Sequence, residues 1–383
     1  MSQTTSRGAT IGRPSRLAML APFLLLLGCT GGGDAGRAGG DSAQGGDTAA
    51  AATAAAGGGS ARGTGELAYV TSEEGRTLTV IETATDSVVA TIEVGTRPRG
   101  VRVHPGGRLV YVALSGSPRC PPTMPDEECE KLKSDKSKDG IAEVDVAARK
   151  VVRVLPGGSD PEQFDLSPDG RRLYVSNEDA GVASVVDLES GRVVSEAKVG
   201  GEPEGVRVSP DGKTVYVTSE SDHAVAALDA ATGKVVGRVV VDQRPRDLAF
   251  SPDGSRLYAS NEVGGTVSVI DPAARRELAR IRMPEGAKPM GLAVSPDGGR
   301  LYVATGRGGQ VVAVDTRTNQ IVGSVKVGTR PWGIALTSDG RKLYVANGPS
   351  NDVSVVATDS MRVLKTLPAG TLPWGVAIGA RPR

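Results

Sequence analysis

The sequence predicts an all-β chain. It reads as a seven-bladed β-propeller of four-stranded antiparallel blades, closed by pairing the C-terminal strand with the N-terminal strands. Two observations carry this. The 383 residues contain seven tyrosines, Tyr69, Tyr111, Tyr174, Tyr216, Tyr258, Tyr302 and Tyr344, mostly as "LYV" or "VYV", at gaps of 42, 63, 42, 42, 44 and 42. A fixed period of this length marks supersecondary units that bury their apolar faces only by packing on one another. The second observation is that the two ends of the repeat region are complementary fragments of one unit.

Residues 205–241, "GVRVSPDGKTVYVTSESDHAVAALDAATGKVVGRVVV", show one whole unit. Alternation makes "GVRV" a strand, and "SPDG" is turn chemistry, with proline pre-set and glycine free for positive φ. "TVYVTS" returns as the hairpin partner. "AVAALD", the turn "AATG" and "KVVGRVVV" supply the third and fourth strands. A Val-rich sheet of four short strands is buried on both faces when seven pack radially. The repeat region opens with "ELAYVTS" (66–72), a second strand with no first, and ends with "GVAIGA" (375–380), a first strand with no second. Pairing them closes the ring without a free edge. The 63-residue gap is one repeat plus an insertion, 115–139, between the second and third strands of its unit.

Residues 1–28 read as a targeting leader. Arg7, Arg13 and Arg16 precede the apolar run "LAMLAPFLLLLG" (17–28), which at twelve residues is shorter than the roughly 20 a spanning helix needs. The run ends in "LLGC", which resembles the lipobox of bacterial lipoprotein signal peptides. That resemblance makes Cys29 the lipidated first residue, and Thr30 in place of Asp implies sorting to the outer membrane. Residues 29–64, rich in Gly and Ala, read as a tether, and 65–383 as the propeller. The expected location is therefore exported and membrane-anchored, facing the periplasm or the cell surface, with contact to the membrane through the anchor alone. Without the three leader arginines, 42 basic residues face 44 acidic ones, which gives no electrostatic case for nucleic acid. Cys120 and Cys129 form an even pair in an exported chain and read as a local disulfide.

The repeats "LYVSNEDAGVASVVD", "LYASNEVGGTVSVID" and "LYVANGPSNDVSVV" resemble YVTN-type propeller repeats over about residues 67–380. More narrowly, "GSDPEQFDLSPDG", "SNEDA", "EPEGV", "VDQRPR", "GGTVSVID" and "PSNDVSVV" occur in an order similar to the propellers associated with pyrroloquinoline-quinone-dependent catabolism. The resemblance implies an exported, non-catalytic, seven-bladed protein linked to quinoprotein dehydrogenases. The lipobox, the tether and the insertion depart from that group.

Each unit crosses to the next through "VG-x-x-P-x-G", and these crossings open on one face at the mouth of the central channel. The residues after the proline are Arg99, Glu162, Glu204, Arg246, Met290, Trp332 and Trp374. Those before it are Arg97, Asp160, Glu202, Arg244, Lys288, Arg330 and Leu372. The repeats are nearly interchangeable elsewhere and differ sharply here. Arg97, Arg99, Asp160, Glu162, Glu202, Glu204, Arg244, Arg246, Arg330, Trp332 and Trp374 are the expected ligand- or partner-binding residues. Two bland alternatives stand beside that reading: charges pairing across blade boundaries, and tryptophans plugging the channel. The insertion lies on the same face, as a tolerated loop or as a lid.

The leading functional expectation is a monomeric, non-enzymatic binding or scaffold module acting through this face. Its candidate ligands are a protein partner or a small molecule, with a quinone or Ca²⁺ as candidate cofactors. The alternatives are a propeller enzyme or cofactor carrier, lactonase-like or haem d1-like, and a cell-surface adhesion protein. No nucleophile-plus-base set is readable, although Glu162 and Glu204 around an ion could serve lactone hydrolysis. No Cys-x-x-Cys-His occurs, which excludes c-type haem. His104, in a far-face turn, reads as structural, and His223 as a surface residue.

Overall fold

A computed structural model of the chain describes residues 65–119, 124–129 and 131–382. The leader, the tether with Cys29, Cys120 and the side chain of Cys129 lie outside the described residues, and so does the expected disulfide. Among the described residues, no helix is long and apolar enough to cross a membrane.

The described strands form seven four-stranded antiparallel sheets. Blades 2 to 7 each run in chain order from the channel outward. Their innermost strands are Pro98–Val103, Pro161–Leu166, Pro203–Val208, Pro245–Phe250, Leu292–Val294 and Pro331–Leu336. Blade 1 is composite, with order Pro373–Ala380, Glu66–Ser72, Thr77–Glu82, Ser87–Glu93. Its C-terminal innermost strand pairs with the N-terminal strand in the register Tyr69 to Ala377 and Val70 to Val376. The expected closure is therefore observed, and the innermost strands touch one another around the whole ring.

The apolar core is divided into seven layers, one between each pair of neighbouring blades. Tyr174, Ala183 and Val185 of blade 3, for example, pack on Val206, Val217 and Leu228 of blade 4. Each layer contains one of the seven tyrosines, which explains their spacing. The ring gives the residue an apolar body for the interface, and in several blades the hydroxyl reaches a polar atom at its edge, although that of Tyr69 has no partner among the described residues. Tyr174 donates to Ala230 O (2.9 Å) and Tyr216 to Pro272 O (2.8 Å), each on the following blade. Tyr344 likewise donates to Asp86 across the closure. The third strands are buried along their length, and the outer strands are mostly exposed, with strict alternation in Arg192–Lys198. The "SPDG" glycines take positive φ as expected, Gly170 at 68° and Gly212 at 72°.

Hydroxyls of the second strands tie innermost strands together. Thr71 Oγ donates to Arg99 O (2.7 Å) and Ser176 Oγ to Glu204 O (2.5 Å), each on the next blade. The glycine of P-x-G is required by this closeness. A Cβ on Gly205 would lie 2.5 Å from Arg246 O, and one on Gly333 would lie 2.5 Å from Trp374 O.

Candidate functional site

The crossings converge on the channel mouth as expected. In six blades the residue before the proline adopts left-handed backbone: Arg97, Asp160, Glu202, Arg244, Arg330 and Leu372, at φ between 42° and 58°. Such a conformation is costly for non-glycine residues. It recurs with leucine as well as with charged residues, so it belongs to the crossing and not to a ligand. Blade 6 departs: Lys288 does not share it, and Met290 N instead donates to Ala304 O (2.8 Å).

The post-proline residues do not face the mouth alone. Four positions after each tyrosine, where the second strand ends, a second set meets them: Glu73, Ser115, Glu178, Glu220, Glu262, Gly306 and Gly348. The pairing by blade is Trp374 with Glu73, Arg99 with Ser115, Glu162 with Glu178, Glu204 with Glu220, Arg246 with Glu262, Met290 with Gly306, and Trp332 with Gly348. The four glutamates were missed as site residues by the sequence reading. Their signal was available, because "YVTSE", "YVSNE", "YVTSE" and "YASNE" repeat the acid at one position.

Blades 2 to 5 form an ionic half. Arg99 is buried and donates to Asp160 Oδ1 (2.5 Å), pairs with Glu162, and lies 3.5 Å from Glu178. Arg246 pairs with Glu204 and Glu220 and approaches Glu262 at 3.8 Å. Arg244 adds bonds to Glu220 (2.5 Å) and Glu262 (3.6 Å). Arg97 leaves this group and binds Glu73 (2.8 Å) on blade 1. The arginines therefore pair across blade boundaries, the bland alternative in the sequence reading. Glu202, expected in the carboxylate group, is exposed and accepts from Ser221 Oγ (2.7 Å), and Glu178 and Glu220 stand in its place.

Six carboxylates and three guanidiniums in this network leave an excess of three negative charges. Burial accordingly pushes Glu204 well above the usual carboxylate range and raises Glu178. Burial opposes ionisation of Glu220 and Asp160 too, but Arg246 and Arg99 respectively bring both below their ordinary values.

Blades 6, 7 and 1 form the other half, which is apolar apart from the buried Glu73 of blade 1 paired with Arg97. Trp332 and Trp374 are half-buried on adjacent blades, with Met290 beside them, and all three line the channel pocket with Glu204 and Arg246. Gly348 makes room for the indole, since a Cβ there would come within 2.9 Å of Trp332 Cζ3, and one on Gly306 within 3.1 Å of Met290 Cγ. Arg330 stacks on Trp332, its guanidinium carbon 5.3 Å from the ring centre. Its Nε is enclosed without a hydrogen-bond partner among the described residues, and burial beside Arg307 weakens its hold on its proton.

The insertion does lie on this face. Lys136 pairs with Asp179 of blade 3, Arg119 binds Glu74 of blade 1 (2.8 Å), and Asp139 accepts from Asp160 N (3.0 Å). His104 sits on the far face against Gly170 O (3.2 Å), and His223 Nδ1 lies 2.8 Å from Glu220 O.

Comparison with known proteins agrees with this architecture. A family model described as YNCE-like β-propeller matches residues 130–252, and one described as outer membrane protein assembly factor BamB matches 263–362. Kuenenia stuttgartiensis hydrazine synthase superposes with a TM-score of 0.62 at 22% identity, covering 73% of this chain and 88% of that one. A putative 6-phosphogluconolactonase of Bacteroides fragilis gives 0.67 at 18% identity, covering 82% and 98%. A functionally unknown Desulfotomaculum acetoxidans protein gives 0.67 at 16%, covering 83% and 99%. The chain is a seven-bladed propeller protein. At these identities the likeness is one of fold, and activity must be argued from the site. No curated protein matches the sequence.

Proposed function

We propose that this propeller is a non-enzymatic binding module, exported and held at a membrane by a lipid on Cys29, and that its ligand docks on the apolar half of the mouth. The observation that carries the docking site is the half-buried pair Trp332 and Trp374 beside Met290, with Arg330 stacked on one indole. Aromatic rings that are partly open, next to a guanidinium stacked on one of them, suit an anionic ligand with a planar apolar body. A carboxylated quinone has this chemistry, as does an acidic-aromatic segment of a partner protein. The arginines of the ionic half are already paired with carboxylates, whereas Arg330 lies over the indole of Trp332 with the exposed Arg307 acting on it.

Calorimetric titration of the full chain with pyrroloquinoline quinone tests the reading. Saturable binding that weakens at least about tenfold in Trp332→Ala and in Arg330→Met supports it. Binding indifferent to both substitutions places the ligand elsewhere. The anchor is tested separately, since Cys29→Ala should move the chain from the membrane fraction to the soluble one.

A further inference from the structure

We infer that Glu162, Glu178 and Glu204 hold a hard divalent cation of the Ca²⁺ class at the channel mouth. One carboxylate oxygen from each lies within 4.8 Å of the other two. A point within about 2.8 Å of all three exists at that spread, so a small inward shift of the side chains brings them to the Ca–O distance of roughly 2.3–2.6 Å.

A separate observation points to a missing partner. Glu162 is 3% exposed; one of its oxygens is held by Arg99, while Oε2 is enclosed with no hydrogen-bond donor among the described residues. An enclosed carboxylate oxygen with no partner is expensive, and a cation supplies what the surrounding side chains do not. The excess of carboxylates over guanidiniums in the network points the same way.

The donors select the ion. All three are carboxylate oxygens, with no thiolate or imidazole among the described residues, which suits a hard cation and not Zn²⁺. Arg99 and Arg246 fix the orientation of Glu162 and Glu204 by bonding one oxygen of each. Glu178 has a side chain 30% exposed and opens the site toward the mouth. Three protein oxygens leave further coordination positions for water or for an oxygen of a ligand. Glu204 also lines the pocket shared with Trp332 and Trp374, so the ion would lie in the wall facing the docking half. The inference stands without that docking reading, because it rests on the carboxylates alone.

The test is isothermal calorimetry of Ca²⁺ against the EGTA-stripped full chain, with Mg²⁺ in parallel. One saturable site is expected, with a Kd of roughly 10⁻⁵ to 10⁻³ M. Glu178→Gln, at the open edge, should weaken it at least tenfold, as should Glu162→Gln, whereas the exposed Glu202→Gln should not. If a buried variant fails to fold, the wild-type melting temperature in Ca²⁺ against EGTA still decides, and a rise is expected. No saturable heat and no rise in melting temperature would overturn the inference and leave protons to balance the cluster. Binding that survives both Glu162→Gln and Glu178→Gln would also overturn it. Loss of quinone binding with Ca²⁺ binding intact would sink only the docking reading.

Discussion

Trp332 lies against the backbone of Gly348, in the space where the corresponding residues of four other blades are glutamates. An indole and a glycine thus replace an acid at the same height of the channel mouth. This exchange, repeated with Met290 over Gly306, divides the mouth into its ionic and apolar halves.

Gly348→Ala should therefore displace Trp332 and little else. Gly348 does not have positive φ, so alanine meets no backbone penalty and acts only through its Cβ. The expected cost is about 1 kcal/mol, the low end for overpacking, because the indole can swing outward. A red shift of the tryptophan emission with an almost unchanged melting temperature checks this.

Ring closure depends on residues 373–380, which supply the whole innermost strand of blade 1. A chain ending at Leu372 leaves Glu66–Ser72 with a bare edge and opens the core layer of Ala68, Val70, Ile81 and Val376. Circular dichroism should show loss of the cooperative melt. A truncated chain that melts like the intact one contradicts the closure.

The buried pairing of Arg99 makes a quantitative prediction. Arg99→Met strands Asp160 and Glu162 without their cation and should cost about 3–5 kcal/mol. Arg97→Met, at a partly exposed pair with Glu73, should cost clearly less. Adding Glu162→Gln to Arg99→Met should recover part of the loss. Urea denaturation of the wild type, Arg99→Met, Glu162→Gln and the double variant measures the coupling.

How pH acts depends on Asp247, which bonds Arg207 (3.0 Å) and accepts from Leu292 N (3.0 Å). Burial pushes its carboxyl up to about 6, against the opposing charge of Arg102. Unfolded, the group titrates near 3.9, so between these values the folded chain keeps a proton that the unfolded chain has released. Its penalty is absent below about pH 4, grows through about pH 6 and is complete above it, reaching about 3 kcal/mol. The stability of Asp247→Asn relative to wild type should therefore be higher at about pH 8 than at about pH 5. A difference independent of pH contradicts the assignment.

The blade count, strand order, closure and location of the mouth were legible because they follow from periodic features. The tyrosine slot recurs once per core layer, and P-x-G recurs wherever innermost strands nearly touch. The membership of the carboxylate group was less legible. Glu202 and Glu204 flank one proline and look equivalent in sequence, yet Glu202 takes φ of 50° and ends in solvent, while Glu204 is buried. Local propensity does not announce a left-handed residue before proline. Glu178 and Glu220 were overlooked for a different reason. They end the second strands and enter the mouth from a loop that the sequence places 16 residues after the proline-linked positions, as in Glu162 to Glu178.

The most direct test of the divided mouth is the emission of the full chain, in which Trp332 and Trp374 are the only tryptophans. The account predicts emission intermediate between buried and exposed indole, quenching by acrylamide, and a saturable shift with an anionic aromatic ligand. It further predicts that the shift is lost in Trp332→Ala and Trp374→Ala. Blue emission that resists acrylamide and is unmoved by ligand would make the two tryptophans a channel plug and contradict the account.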